Sequence, residues 1–217
     1  MTTPYLVASR NPGKLQELRD IFASHGIRVI DLTEAGLPEA SDEESIESWD
    51  TFEENALGKA QYFYRRSGLP TFADDSGLSV DALGGRPGVR SKRFSGRTDL
   101  WGKSLDAANN AAVLAQLRRM NALPAAASFI CAAAFADGDR AIVRTGATSG
   151  VVVPQPRGAS GFGYDPHFVS DELNETFGEA SAEAKLRVGH RGRAFRALLA
   201  ILARDTSGAL PESGGSD

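Results

Sequence analysis

The chain has 217 residues, 41% of them hydrophobic, which is enough to bury one core or two lobes around a cleft. Its net charge of −4, with 28 acidic residues against 24 basic ones, excludes a general nucleic-acid surface but leaves room for a small phosphorylated ligand, which needs only a few local cations. Cys131 is the single cysteine, so an intrachain disulfide and a cysteine-based zinc site are excluded. No apolar run approaches the roughly 20 residues of a membrane span.

The first residues lack the charged-then-apolar pattern of a secretory signal, so the cytoplasm is the expected location. "YLVAS" reads as a short buried strand. It runs through "RNPGK" into a helix with Leu15, Leu18 and Phe22 at helical spacing, stopped by Gly26. A second strand, "IRVIDL", precedes an acidic segment from Glu39 to Asp50 that reads as loop. Thr51 and Glu54 form a capping box that opens a helix ending at Gly68.

After Pro70 an apolar strand is expected to end in Asp74 and Asp75, followed by a glycine-rich turn region up to Gly96. A helix is expected around Asp106 to Met120. Two antiparallel strands follow, "SFICAAAFA" and "RAIVRTGATSG", joined by "DGD". "GASGFGYDP" reads as a loop, the stretch from Ala180 to Asp205 as helical with a break near Gly189, and residues 206–217 as a disordered tail. Strand order and helical spacing together give an α/β class with a mixed sheet in one domain over residues 1–205, with no internal repeat.

Several stretches bear on chemistry. "WGKS" is not the end of a phosphate-binding P-loop, because five residues separate Gly96 from Gly102 where that motif has four. "SRNPGK", Ser9 to Lys14, brings small residues and one lysine to a helix start; an anion site and plain turn chemistry both fit it. On the next helix Asn55 and Lys59 share a face, and Lys59 reads either as a solvated charge or as a ligand-facing one. Cys131, among apolar neighbours, reads as a buried structural thiol.

The pair in "FADDSG" carries more information. On an extended chain Asp74 and Asp75 point to opposite faces, so one can face a cleft while the other braces the turn. Carboxylates at the carboxyl end of a strand in an open α/β sheet suit Mg²⁺ and a phosphorylated ligand; a turn-forming Asp pair before Ser-Gly is the alternative.

Taken in order, "SRNPGK", "TFEENALGKA", "FADDSGLSVDALGGRPGVRSKRFSG", "GFGYDPHF" and "GHRGRA" resemble the inosine triphosphate pyrophosphatase family, the non-canonical purine nucleoside triphosphate pyrophosphatases, from about Tyr5 to Leu202. The resemblance implies a two-lobed α/β fold with a long mixed sheet flanked by helices, an active-site cleft between the lobes, and a homodimer. It implies Mg²⁺-dependent hydrolysis of ITP, dITP and XTP to the monophosphate and pyrophosphate. It gives Asp75 the catalytic role and metal binding to Asp75, Asp74 and Glu47. Ser9, Arg10, Asn11, Pro12, Gly13, Lys14, Lys59 and Lys92 fall to the phosphates, with Ser76 beside the substrate, and Phe162, Gly163, Tyr164, Asp165, Lys185, His190 and Arg191 to the base. Two positions depart from the family pattern: "IESWDTF" replaces an acidic pair and glycine before "TF", and Gly189 replaces the usual serine before His-Arg. A pyrophosphatase for pyrimidine or modified nucleotides and a catalytically silent nucleotide-binding protein are the rival readings. Neither nucleic acid nor membrane is an expected partner.

Overall fold

The computed structural model describes residues 3–43 and 46–207. Its centre is a six-stranded mixed sheet in the order β2-β1-β3-β4-β5-β6. β1 (Tyr5–Val7) pairs in parallel with β2 (Val29–Asp31) and with the start of β3 (Thr71–Val80). β3, β4 (Ala125–Ala136) and β5 (Ala141–Val152) form a long antiparallel run, and β6 (Phe168–Ser170) joins only the far end of β5.

Side-chain alternation along these strands sends two different sets to two different helix layers. Val7, Phe72, Cys131, Ala133 and Phe135 meet α1 (Pro12–Ser24) and α5 (His190–Ser207), through Leu18, Phe22, Phe195 and Leu198. Leu6, Ala8, Ala73, Ala132 and Ala134 meet α2 (Phe52–Ser67), through Phe52, Ala56, Ala60 and Phe63. A third core, around Leu78, Phe129, Phe168 and Phe177, is closed by α3 (Gly102–Arg119) and reaches Val188 of α4 (Ala182–Val188). The two lobes are therefore the two ends of one long sheet, and the α/β class expected from the sequence is the one observed.

Local signals set most of the ends. Asn11 caps α1 by accepting the Lys14 N–H at 3.1 Å, with Pro12 in the first turn. Thr51 accepts the Glu54 N–H at 3.2 Å, and α2 stops at Gly68 with φ 70°. Its box closes differently from the usual one, since the Glu54 carboxylate accepts the Thr51 hydroxyl at 2.7 Å. The described part of the acidic segment is irregular, as expected, and α4 and α5 meet at an extended Gly189.

Five expectations need correction. β3 does not end at the aspartates but runs five residues further to Val80, because Asp75 through Val80 all keep partners on β4. α3 and β4 both begin earlier than expected, at Gly102 and Ala125, and β6 has no counterpart among the expected strands. Thr206 and Ser207 belong to α5; the remainder of the expected tail, residues 208–217, lies outside the described residues. Among the described residues no helix is long and apolar enough to cross a membrane.

Gly77 explains how a glycine sits inside β3. A Cβ there would overlap Ser91 Oγ and the Gly88 carbonyl oxygen, while Ser91 Oγ accepts the next strand amide, Leu78 N–H, at 2.9 Å. Gly77→Ala is therefore expected to cost about 1–3 kcal/mol of folding stability in urea titrations, by overpacking this crossing.

Candidate active site

The polar site begins where β1 stops. Its last residues pair with β3 in the register Leu6↔Thr71 and Val7↔Phe72, so the chain leaves the sheet as the loop of residues 8–11 while β3 continues alongside through Asp74 and Asp75. Ser9 Oγ accepts the Asn11 N–H at 3.3 Å, and the loop feeds directly into the α1 N-terminus, where amide dipoles favour an anion. Arg10 is directed elsewhere: its guanidinium donates to both Glu43 carboxylate oxygens at 2.7 and 2.8 Å and to the Leu37 carbonyl at 3.2 Å. Its side chain thus ties the loop to the acidic segment.

Asp74 and Asp75 do point to opposite faces of β3, but neither braces a turn, because both lie inside the strand. Asp74 projects toward α1 and α5. Its Oδ2 lies 3.1 Å from Lys14 Nζ and accepts the Arg191 Nε–H at 3.1 Å, and the residue is fully buried. Burial alone would favour the neutral acid, yet Lys14, Arg191 and Lys59 outweigh it and hold the carboxyl well below the usual range. The Cys131 thiol lies 4.0 Å from the same oxygen; burial, reinforced by Asp74, pushes its pKa up, which agrees with an inert thiol.

Asp75 projects toward α2 and is 7% exposed. Its Oδ2 accepts the Asn55 Nδ2–H at 3.0 Å, and its Oδ1 accepts the Ser76 N–H at 2.9 Å. Asn55 is itself fixed in orientation by exchanging two hydrogen bonds with the Trp49 backbone, at 3.0 and 3.2 Å. Burial raises the Asp75 pKa against the opposing charges of Lys14 and Lys59, and Glu47 and Asp74 add smaller contributions to the rise. Lys59 lies on the same helix face, donating to the Asp74 carbonyl at 2.9 Å and contacting the Glu47 carboxylate. Burial opposes the Glu47 charge, but Lys59, Lys14 and Lys92 outweigh it and take its pKa down to about 2. The structure thus gathers Asp75, Glu47 and Lys59 and leaves Asp74 on the other face, so the three carboxylates do not form one ligand set. Among the described residues no group of three or more His, Cys, Asp or Glu side chains converges on a metal position.

A second cluster begins at Arg191. Its NH2 donates to Ser76 Oγ at 2.7 Å and its NH1 contacts Glu17, whose other oxygen lies 2.7 Å from Lys185 Nζ. Lys185 in turn lies 2.5 Å from Asp165 Oδ2, which also accepts the Phe162 N–H at 2.8 Å. The Lys185 ammonium sits 5.0 Å from the Phe162 ring centroid. Gly13 is packed beneath that ring, with no room for a Cβ. A cavity of about 330 Å³ opens here, lined by Gly13, Glu17, Phe162, Phe177, Lys185, His190 and Arg191. His190 stacks on Phe129 with centroids 4.7 Å apart. Burial, with the Arg191 and Lys185 charges, holds its pKa well below the ordinary value, so the ring is neutral. Its Nδ1 has no hydrogen-bond partner among the described residues.

Of the other expected site residues, Tyr164 turns its hydroxyl away to the Ser91 carbonyl at 2.8 Å, Gly163 holds a left-handed turn at φ 61°, and Lys92 is exposed on the rim. Glu17 was not among the expected residues. The signal was available, because it lies three positions after Lys14 on α1 and therefore shares its face. In the sequence Asn55 carries only a helix-face signal; its orienting of Asp75 depends on the tertiary structure.

The sequence profile described as the Ham1 family matches residues 5–201. A Frankia alni protein called dITP/XTP pyrophosphatase is 46% identical over 200 residues, covering 91% of this chain and 96% of that one. A Thermus thermophilus protein of the same name is 41% identical, covering 89% of each. Among solved structures, a HAM1 protein from Coxiella burnetii superposes with a TM-score of 0.78 at 33% identity, covering 94% of this chain and all of the other. A structure from Mycobacterium abscessus titled nucleoside-triphosphatase / dITP/XTP pyrophosphatase gives 0.67 at 43% identity, covering 90% and 98%.

The Glu17 bridge makes stability depend on pH. Burial opposes its charge, but Arg191 and Lys185 bring its pKa from 4.5 down to about 2. A carboxylate depressed on folding stabilises fully above its unfolded pKa, and that contribution is lost as pH falls through the folded value. Urea titrations at stepped pH are expected to show the wild type more stable than Glu17→Gln near pH 6. The gap should close as pH drops from about 4.5 toward 2.

Proposed function

The chain belongs to the Ham1 family, and from that membership we propose that it hydrolyses the non-canonical purine nucleoside triphosphates ITP, dITP and XTP to the monophosphate and pyrophosphate. The observation that carries this reading is the placement of Asp75, a buried carboxylate of raised proton affinity on the same face as Lys59 and Glu47, beside the loop that opens α1. A carboxylate made more basic than usual suits a group that takes a proton from water. In this mechanism Asp75 orients the attacking water, with Asn55 and the Ser76 amide fixing the carboxylate plane. The water oxygen bonds to the α-phosphorus, its proton passes to Asp75, and the bond from the α-phosphorus to the bridging oxygen breaks to release pyrophosphate. Lys14, Lys59 and the amides at the α1 N-terminus hold the polyphosphate and offset the charge that grows on the leaving group.

The donor set on that face fits a hard divalent cation. Asp75 and Glu47 bring two carboxylates to that face, where the Lys14 and Lys59 charges oppose the rise in the Asp75 pKa that burial causes. Mg²⁺ takes one or two carboxylates and completes its shell with water and substrate phosphate, so Asp75 and Glu47 would hold it and it would neutralise charge on the phosphate oxygens. Asp74 stays outside this set and instead fixes Lys14 and Arg191.

Selection for the base rests on the cavity beside Phe162. Phe162 can stack on any base and does not choose. Arg191 has its guanidinium nitrogens engaged by Asp74, Glu17 and Ser76, which makes it a wall of the pocket; His190, neutral and with Nδ1 unpartnered among the described residues, donates to a 6-carbonyl in its Nδ1–H tautomer. Adenine presents a 6-amino donor there and leaves the site unsatisfied. Homodimerisation is part of the same proposal, and light scattering of the purified protein tests it.

The deciding experiment is pyrophosphate release across purine and pyrimidine triphosphates with and without Mg²⁺. ITP, dITP and XTP are expected to exceed ATP in kcat/KM by up to roughly 10⁴-fold. Equal rates for all nucleotides, or preference for a pyrimidine, would refute the pocket, and silence toward all would refute the enzyme. Asp75→Asn should abolish turnover in a folded protein that still binds nucleotide. Lys14→Ala should weaken triphosphate binding by about 1–3 kcal/mol and leave nucleoside binding nearly unchanged.

A further inference from the structure

α3 lies outside every motif assigned to the nucleotide, yet three of its side chains end on the loops that carry those motifs. Asp106 Oδ2 accepts the Gly163 N–H at 2.9 Å, and Asn110 Nδ2 donates to the Gly163 carbonyl at 2.8 Å. These two bonds fix the peptide on either side of Gly163, the residue whose left-handed φ of 61° turns the chain after Phe162. Asn110 Nδ2 also donates to the Asp106 carbonyl at 2.9 Å, so the two clamping residues are tied to each other. Asn109 grips the opposite rim. Its Oδ1 accepts the Ser95 N–H at 2.9 Å, and its Nδ2 donates to the Lys92 carbonyl at 2.9 Å.

Adjacent asparagines are poor helix formers, and burying an amide is costly unless its donors and acceptors are met. Asn109 and Asn110 are 3% and 9% exposed, and their partners are loop peptides on two different segments. General packing of α3 does not call for such an arrangement, since Val113, Leu114 and Leu117 already anchor the helix in its core.

We propose that Asp106, Asn109 and Asn110 are positioning residues of the nucleotide site. Asp106 and Asn110 set Gly163 and through it the direction of the Phe162 ring; Asn109 sets the 92–95 rim and the backbone of Lys92. The identity of the ligand rests on the function proposed above, but the clamping itself does not.

Two measurements on Asp106→Ala, Asn110→Ala, Asn109→Ala and the conservative Asp106→Asn test this. The first is amide hydrogen exchange in the ligand-free protein, which does not depend on activity. Asp106→Ala is expected to speed exchange at residues 161–164 by about 10-fold or more while leaving 92–95 unchanged, with Asn109→Ala doing the converse. The second is steady-state kinetics. Asp106→Ala and Asn110→Ala are expected to raise KM for ITP by about 10-fold and to reduce the ITP-to-ATP preference, with kcat changed less than about threefold and Asp106→Asn recovering most of the loss. Unchanged exchange at 161–164, or a uniform rise across α3 and the sheet with an equal loss for every nucleotide, would overturn the proposal. A wild-type protein that cleaves no triphosphate would remove the proposed function, and the exchange measurement would still decide the clamp.

Discussion

The buried Asp74 carboxylate is the constraint on which the polar architecture depends. A charge with no access to water is tolerated only when paired, and removing one partner of such a pair typically costs about 3–5 kcal/mol. Asp74 is paired with Lys14 and Arg191, which come from α1 and α5, so β3 and two helices far apart in sequence must meet at one point. The apolar contacts among Phe22, Phe72 and Phe195 bring the same three elements together and do not specify how the helices are oriented about their axes. The ion pairs add that specification, placing the α1 N-terminus beside β3 with Lys14 over the sheet.

From that point the two faces of β3 diverge. On the α1 and α5 face, Lys14, Arg191 and Lys185 meet Asp74, Glu17 and Asp165 in a continuous chain of ion pairs. The chain of ion pairs gives that face much reason to be rigid. On the α2 face Lys59 contacts Glu47, and burial, which outweighs the Lys14 and Lys59 charges, raises the Asp75 proton affinity. Strand alternation thus separates a carboxylate locked into ion pairs from one of raised proton affinity at consecutive positions. Their shared strand keeps the two roles in register, and Ser76, bonded to both Asp75 and Arg191, connects them.

Helix ends were the most legible features because their causes are local. Thr51 and Gly68 act within a few residues, and both ends of α2 form where the sequence places them. The end of β3 was not legible for the opposite reason. "DDSG" has the composition of a turn, but the β4 ladder and the crossing of Gly88 and Ser91 over Gly77 keep it extended. β6 escaped notice because three residues carry too little periodicity to stand out.

By itself the sequence determined the α/β class, the ordered motifs, the strand-to-helix turn that opens α1 and the opposite facing of Asp74 and Asp75, since each follows from composition, spacing or backbone periodicity. Only the tertiary structure decided which aspartate is locked into ion pairs, that Arg10 holds Glu43, that Asn55 orients Asp75, and that Glu17 joins Lys185 to Arg191. Those roles depend on partners between 20 and 174 positions away in the chain, and no local pattern encodes which distant side chain will arrive.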